Sequence, residues 1–82
     1  MTPTTIRLPG RHAQAVAHLA QDGAPNTVIA ERMGLNTGTI ANYISHACVQ
    51  AGLRSRWLLM QAIRDGSVVV EAVTEGKRGG AR

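Results

Sequence analysis

Apolar positions fall at helical spacing in four stretches of this chain, and glycine or proline separates each stretch from the next. Pro9 is placed to open a first helix, in which Ala13, Val16, Ala17, Leu19 and Ala20 form a stripe that ends at Asp22-Gly23. Pro25 and Asn26 begin a second helix with Asn26 as its cap, and it runs to Met33 before Gly34 breaks it. Asn36 or Thr37 caps a third, about 36–51, which Gly52 stops. Ser55 caps a fourth that carries Trp57, Leu58, Leu59, Met60, Ala62 and Ile63 and ends near Asp65-Gly66. The β-branched run Ser67-Val68-Val69-Val70-Glu71-Ala72-Val73 reads as a short strand, with a continued helix as the alternative. The pattern predicts an all-α fold, a four-helix domain over 9–66. An N-terminal arm (1–8) precedes it, and a C-terminal extension (67–82) adds at most a short strand and ends in the basic tail Lys77–Arg82.

The second and third helices carry the functional signal. Ala30 is small enough to let one helix approach the next closely, and Gly34, four positions on, suits the left-handed exit from a helix. Ile29, Met33, Leu35, Ile40 and Ile44 supply an apolar face between the two helices. Together with the tight turn Gly34-Leu35-Asn36, this is the layout of a DNA-binding helix-turn-helix, whose second helix enters the major groove. On the third helix Ile40, Ile44, Ala47, Cys48 and Ala51 share the core side. Ala41, Asn42, Ser45, His46 and Val49 are left on the outward side, which is short, polar and uncharged.

Composition narrows the picture. A chain of 82 residues makes one domain with a modest core, and a domain that small is often steadied by self-association. Phe is absent and Trp57 and Tyr43 are the only aromatic residues, so the core must be built from Ala, Val, Ile, Leu and Met. Nine Lys/Arg against five Asp/Glu give +4, and because residues 65–82 balance, that whole charge falls on residues 1–64. A compact basic region suits phosphate binding, although +4 is mild. The single Cys48 excludes an internal disulfide and is expected in the core as a small apolar group. No signal peptide and no run approaching the ~20 apolar residues of a membrane span is present, which points to the cytoplasm and away from membranes.

Val16 to Arg64 resembles the DNA-binding domain of the LuxR/GerE regulators. The resemblance rests on Asn26-Thr27-Val28-Ile29-Ala30-Glu31-Arg32-Met33-Gly34-Leu35, on Thr37-Gly38-Thr39-Ile40, and on Gly52-Leu53-Arg54-Ser55-Arg56, spaced without a gap. Leu8-Pro9-Gly10-Arg11 looks like the family's opening, one residue out of register and without its usual acidic residue. The resemblance implies four helices, a third helix that reads the major groove and a fourth that dimerises on a partly symmetric operator. It places base reading at Ala41, Asn42 and Ser45, with His46 beside them, and phosphate contact at Asn26, Thr27, Thr37 and Thr39.

Two departures from the family are informative. Many members carry Lys or Arg on the exposed face of the third helix, where this chain has Ala41 and Ser45. Asn42 is then the best base reader left, able to pair with the N6 and N7 edge of adenine, while Ala41 could meet a thymine methyl. Arg32, Arg54 and Arg56, with Arg7, Arg11 and the Lys77-Arg78 tail, become the candidates for phosphate. Trp57 and Leu58 stand where the family usually has polar residues, so with Gln61 they are expected to form a homodimer or partner surface on the fourth helix.

No catalytic chemistry is legible. No glycine-rich phosphate loop and no poised pair of carboxylates occurs, so an enzyme is not expected, and neither is a cofactor. His12, His18 and His46 lack metal-ligand spacing, and no metal is expected. The sequence thus predicts a stand-alone, sequence-specific regulator that binds double-stranded DNA as a homodimer. The competing expectation is an adaptor that keeps the fold and docks another regulator or a polymerase subunit through the fourth helix.

Overall fold

A computed structural model describes residues 2–73, in the order β1 (Thr4–Pro9), α1 (Gly10–Asp22), α2 (Asn26–Met33), α3 (Thr37–Ala51), α4 (Arg56–Arg64) and β2 (Val68–Val73). The expectation for the basic tail Lys77–Arg82 lies outside the described residues.

The all-α expectation is corrected: the two ends of the described chain meet in a two-stranded parallel sheet, so the fold is mixed α/β. Thr4 pairs with Val68 and Pro9 with Val73, and the Thr4 N–H donates to the Ser67 carbonyl at 2.8 Å. The segment expected as an arm is therefore a strand. Thr-Ile-Arg-Leu alternates with the period of two that a half-buried strand requires, and Ile6 and Leu8 are buried while Thr5 and Arg7 face outward. Across the sheet's outer face Arg7 meets Glu71 at 3.2 Å. Both side chains are exposed, so the pair contributes little to stability.

The four helices start and stop for local reasons. Pro9 fixes the entry to α1 at φ −54°. Gly34 ends α2 at φ +68°, with the Leu35 N–H returning to the Ala30 carbonyl at 2.9 Å. Asn36 Oδ1 accepts from the Thr39 N–H at 2.8 Å to cap α3, and Ser55 Oγ accepts from the Leu58 N–H at 3.2 Å to cap α4. At α2 the expected cap differs. Pro25 takes that position with no side-chain bond, and Asn26 is already the first helical residue.

The sheet lies on the helices and closes one core with them. Leu8, Ile29, Ile40 and Leu59 have no exposed surface, and Val16 and Leu19 of α1, Ala47 of α3 and Met60 of α4 pack with them. Gly23 sits so close to Met60 that a Cβ there would lie 3.3 Å from its sulfur, and at φ +66° the position favours glycine twice over. Cys48 is in this core as expected, and burial pushes its thiol above the ordinary value.

Arginines bind the helices together. Arg32 of α2 forms a forked pair with Asp22 at the end of α1, at 2.9 and 3.4 Å. Arg64 donates to the Ala20 and Gln21 carbonyls at 2.8 and 3.1 Å, satisfying the open end of α1. Arg56 reaches the Ala24 carbonyl at 2.6 Å and ties the start of α4 to the α1–α2 connection. The hydrogen bond from Arg32 holds the Asp22 carboxyl below its ordinary 3.8. A depressed carboxylate stabilises the fold above its unfolded value and loses that contribution as pH falls through the lower folded value. Asp22→Asn is therefore expected to lower the urea midpoint at pH 7 and to make no difference once acid has protonated the wild-type carboxyl. An equal deficit at both pH values would contradict it.

Candidate nucleic-acid interface

The outward arc of α3 is the surface that α2 and the α2–α3 turn leave open. Asn42, Ser45, His46 and Val49 are exposed along it, Val49 to 79%, and Ala41 is half-buried at its margin. Ile40, Ile44, Ala47 and Cys48 occupy the opposite arc and are buried. A helix repeats every 3.6 residues, so Ala41, Ser45 and Val49 make one ridge and Asn42 and His46 the next.

The two ridges have different neighbours. Beside the first runs a groove of about 360 Å³, walled by Asn26 of α2, by Ala41, Ser45 and Val49, and by Leu53-Arg54-Ser55-Arg56 at the entry to α4. Beside the second lies a ring cluster, in which the His12 imidazole of α1 is 4.0 Å from Tyr43 and 5.6 Å from His46, centroid to centroid. Spacing along the chain gave no hint that His12 and His46 would meet.

The cations expected at phosphate divide into two groups. Arg32 and Arg56 already hold Asp22 and the Ala24 carbonyl, and either would have to release that partner to reach a phosphate. Arg54, exposed on the groove wall, has no ion pair or hydrogen bond among the described residues, and neither has Arg11 at the start of α1. Among the described residues Arg7, Arg32, Arg56 and Arg64 are thus engaged within the fold. Of the hydroxyls, Thr27 and Thr37 are exposed, while Thr39 is half-buried and donates to Asn36 Oδ1 at 2.9 Å.

Backbone groups add to this surface. The amides of Asn26 and Thr27 at the start of α2, and of Thr37 and Gly38 at the start of α3, have no carbonyl partner among the described residues and carry the positive ends of the helix dipoles. Within the groove Asn26 Oδ1 and Arg56 Nε are buried without a hydrogen-bond partner among the described residues. An acceptor and a donor so placed can be satisfied by bound water or by polar atoms that enter the groove. The sequence places Asn26 as a cap and at phosphate, and no local signal marks its oxygen as a buried acceptor.

The surface expected to meet a second copy lies apart from this arc. Trp57 and Leu58 are exposed to 59% and 44%, and Gln61, one turn from Trp57, is exposed beside them. Leu59 and Met60 take the buried side of α4. Among the described residues no group of three or more His, Cys, Asp or Glu is placed to hold a metal ion, and no helix is long and apolar enough to cross a membrane. No protein-family model matches the chain, and no curated protein or solved structure does either.

Proposed function

We propose that this protein is a sequence-specific DNA-binding transcriptional regulator of LuxR/GerE type, cytoplasmic, that binds double-stranded DNA as a homodimer with α3 in the major groove. The observation that supports the reading is the α3 arc: Asn42, Ser45, His46 and Val49 are exposed along it, and Arg54 and the first-turn amides of α2 and α3 flank it. Amides at helix starts bind phosphate oxygens and fix register, while side chains on the arc meet base edges. Asn42 is the base reader, Ser45 and Ala41 contact the neighbouring pairs, and Thr27, Thr37 and Arg54 grip the backbone. Arg32 and Arg56 serve by holding α1, α2 and α4 in place.

Dimerisation through Trp57, Leu58 and Gln61 would set two copies of α3 about one DNA turn apart. An aromatic residue at the centre of such a contact commonly carries ~2 kcal/mol or more. Trp57→Ala is therefore expected to leave binding to a single half-site unchanged and to weaken binding to a duplex with paired half-sites by ~30-fold. Equal affinity of wild type and variant for the paired duplex would remove α4 from the account. Site selection from random duplex tests the reading as a whole.

The uncharged α3 arc and the arginines committed within the fold favour a second reading, an adaptor that docks another regulator or a polymerase subunit through α4. It separates from the first by its indifference to duplex sequence.

A further inference from the structure

We propose that the outer edge of β2, unpaired among the described residues, pairs antiparallel with the same edge of a second copy of this chain, about a two-fold axis at Val70. This goes beyond the DNA reading and stands or falls separately from it.

The two outer edges of the sheet differ in kind. The Thr4 N–H bonds to the Ser67 carbonyl, and in a parallel ladder backbone groups alternate in direction. The outward backbone groups of β1 therefore belong to Thr5, Arg7 and Pro9, and those of β2 to Val68, Val70 and Ala72. Proline has no N–H, and a cation on an edge discourages pairing, so β1 carries the usual protections of an exposed edge. β2 reads Val-Val-Val-Glu-Ala-Val with no proline, lysine or bulge, and Val69 is 42% exposed. Alongside it runs an apolar groove of about 470 Å³, floored by Ala13, Val16 and Ala17 of α1 and closed by Ile63. The small side chains on α1 leave room there for the inward-facing residues of one more strand.

A second copy is the occupant because this edge is its own complement. Antiparallel pairing about Val70 sets Val70 against Val70 and Val68 against Ala72, which are the residues whose N–H and C=O groups point outward. Parity is kept, so the partner's inward-facing valines fall into the groove. On the outer face Glu71 comes opposite Val69 of the second copy, so no like charges stand directly opposite, and Arg7 neutralises each Glu71 within its own chain where the two lie diagonally. A two-stranded sheet is marginal alone, and this pairing makes it four-stranded with a continuous apolar inner row.

Proline at position 70 removes an N–H that the chain's own ladder does not use. Val70→Pro, made in the full chain with Trp57→Ala so that α4 does not contribute, should raise the dissociation constant measured by sedimentation about tenfold or more, with the helical circular dichroism retained. Ala72→Pro should do the same, and stands in if Val70→Pro does not fold. Val69→Cys with Glu71→Cys, in Cys48→Ala, places cysteines of two copies at a non-hydrogen-bonded pair with Cα atoms ~4.5 Å apart, within disulfide range. Oxidation should link the copies covalently. Association indifferent to either proline in folded protein, or no covalent dimer from the cysteine variant, would overturn the proposal.

Discussion

Leu8→Ala is expected to cost about 2–5 kcal/mol of folding stability, a large share of the ~5–15 kcal/mol that holds a domain together. Leu8 has no exposed surface, and it lies on the strand that joins the start of the described chain to β2. Truncation would remove the transfer energy of its buried methyl groups and leave a cavity between the sheet and the helices. Thr5→Ala, three registers from Leu8 on the same strand and exposed on the outer face, is the control and should stay within ~0.5 kcal/mol. Urea unfolding of the two variants measures both. A loss below ~1 kcal/mol for Leu8→Ala would mean that β1 does not close the core and that the helices stand without it.

Asn42→Ala is expected to relax specificity at one base position and to leave the rest of the operator unchanged. A bidentate amide pair with adenine discriminates by ~1–3 kcal/mol, or roughly 5- to 150-fold between adenine and the other bases. Arg54→Ala should behave differently. Its guanidinium is free and stands beside the groove rather than on the arc, so its loss should weaken all duplexes alike and reduce the log-log salt slope by ~0.9 for the one phosphate released. Titrations of both variants on duplexes that differ at single positions distinguish the roles. If Asn42→Ala weakens every duplex equally, Asn42 is a positioning residue and the base reader lies elsewhere on the arc.

Most of the helical part was legible in the sequence because its signals are local. Gly34 and Gly52 mark helix ends by the left-handed conformation that they adopt, Asn36 and Ser55 cap by side-chain geometry, and the burial of Ile40, Ile44 and Cys48 follows from the spacing of apolar residues on one helix. The strand at Val68 showed through its β-branched run. Its partner did not, because Thr4–Pro9 is short, bounded by prolines, and paired across nearly the whole described chain, and local propensity carries no information about so distant a pairing.

The candidate site was legible in outline only. The exposed arc of α3 followed from helical periodicity, but the engagement of Arg32 with Asp22 and of Arg56 with Ala24 depends on how the α1–α2 connection lies against its neighbours. Composition counts such arginines as available charge, and the fold commits them. The meeting of His12 with Tyr43 and His46, and the burial of the Asn26 acceptor, likewise arise from packing between helices.

Whether the α3 arc reads DNA is decided by selecting binding sites for the purified protein from a random-sequence duplex pool, then titrating the winner against a scrambled duplex at near-physiological salt. The expected outcome is a two-fold symmetric consensus with adenine at the Asn42 position, bound at least ~10³ tighter than the scramble. Equal affinity for the two duplexes would contradict it, leaving the α3 arc as a solvated face and α4 as the surface through which the protein acts.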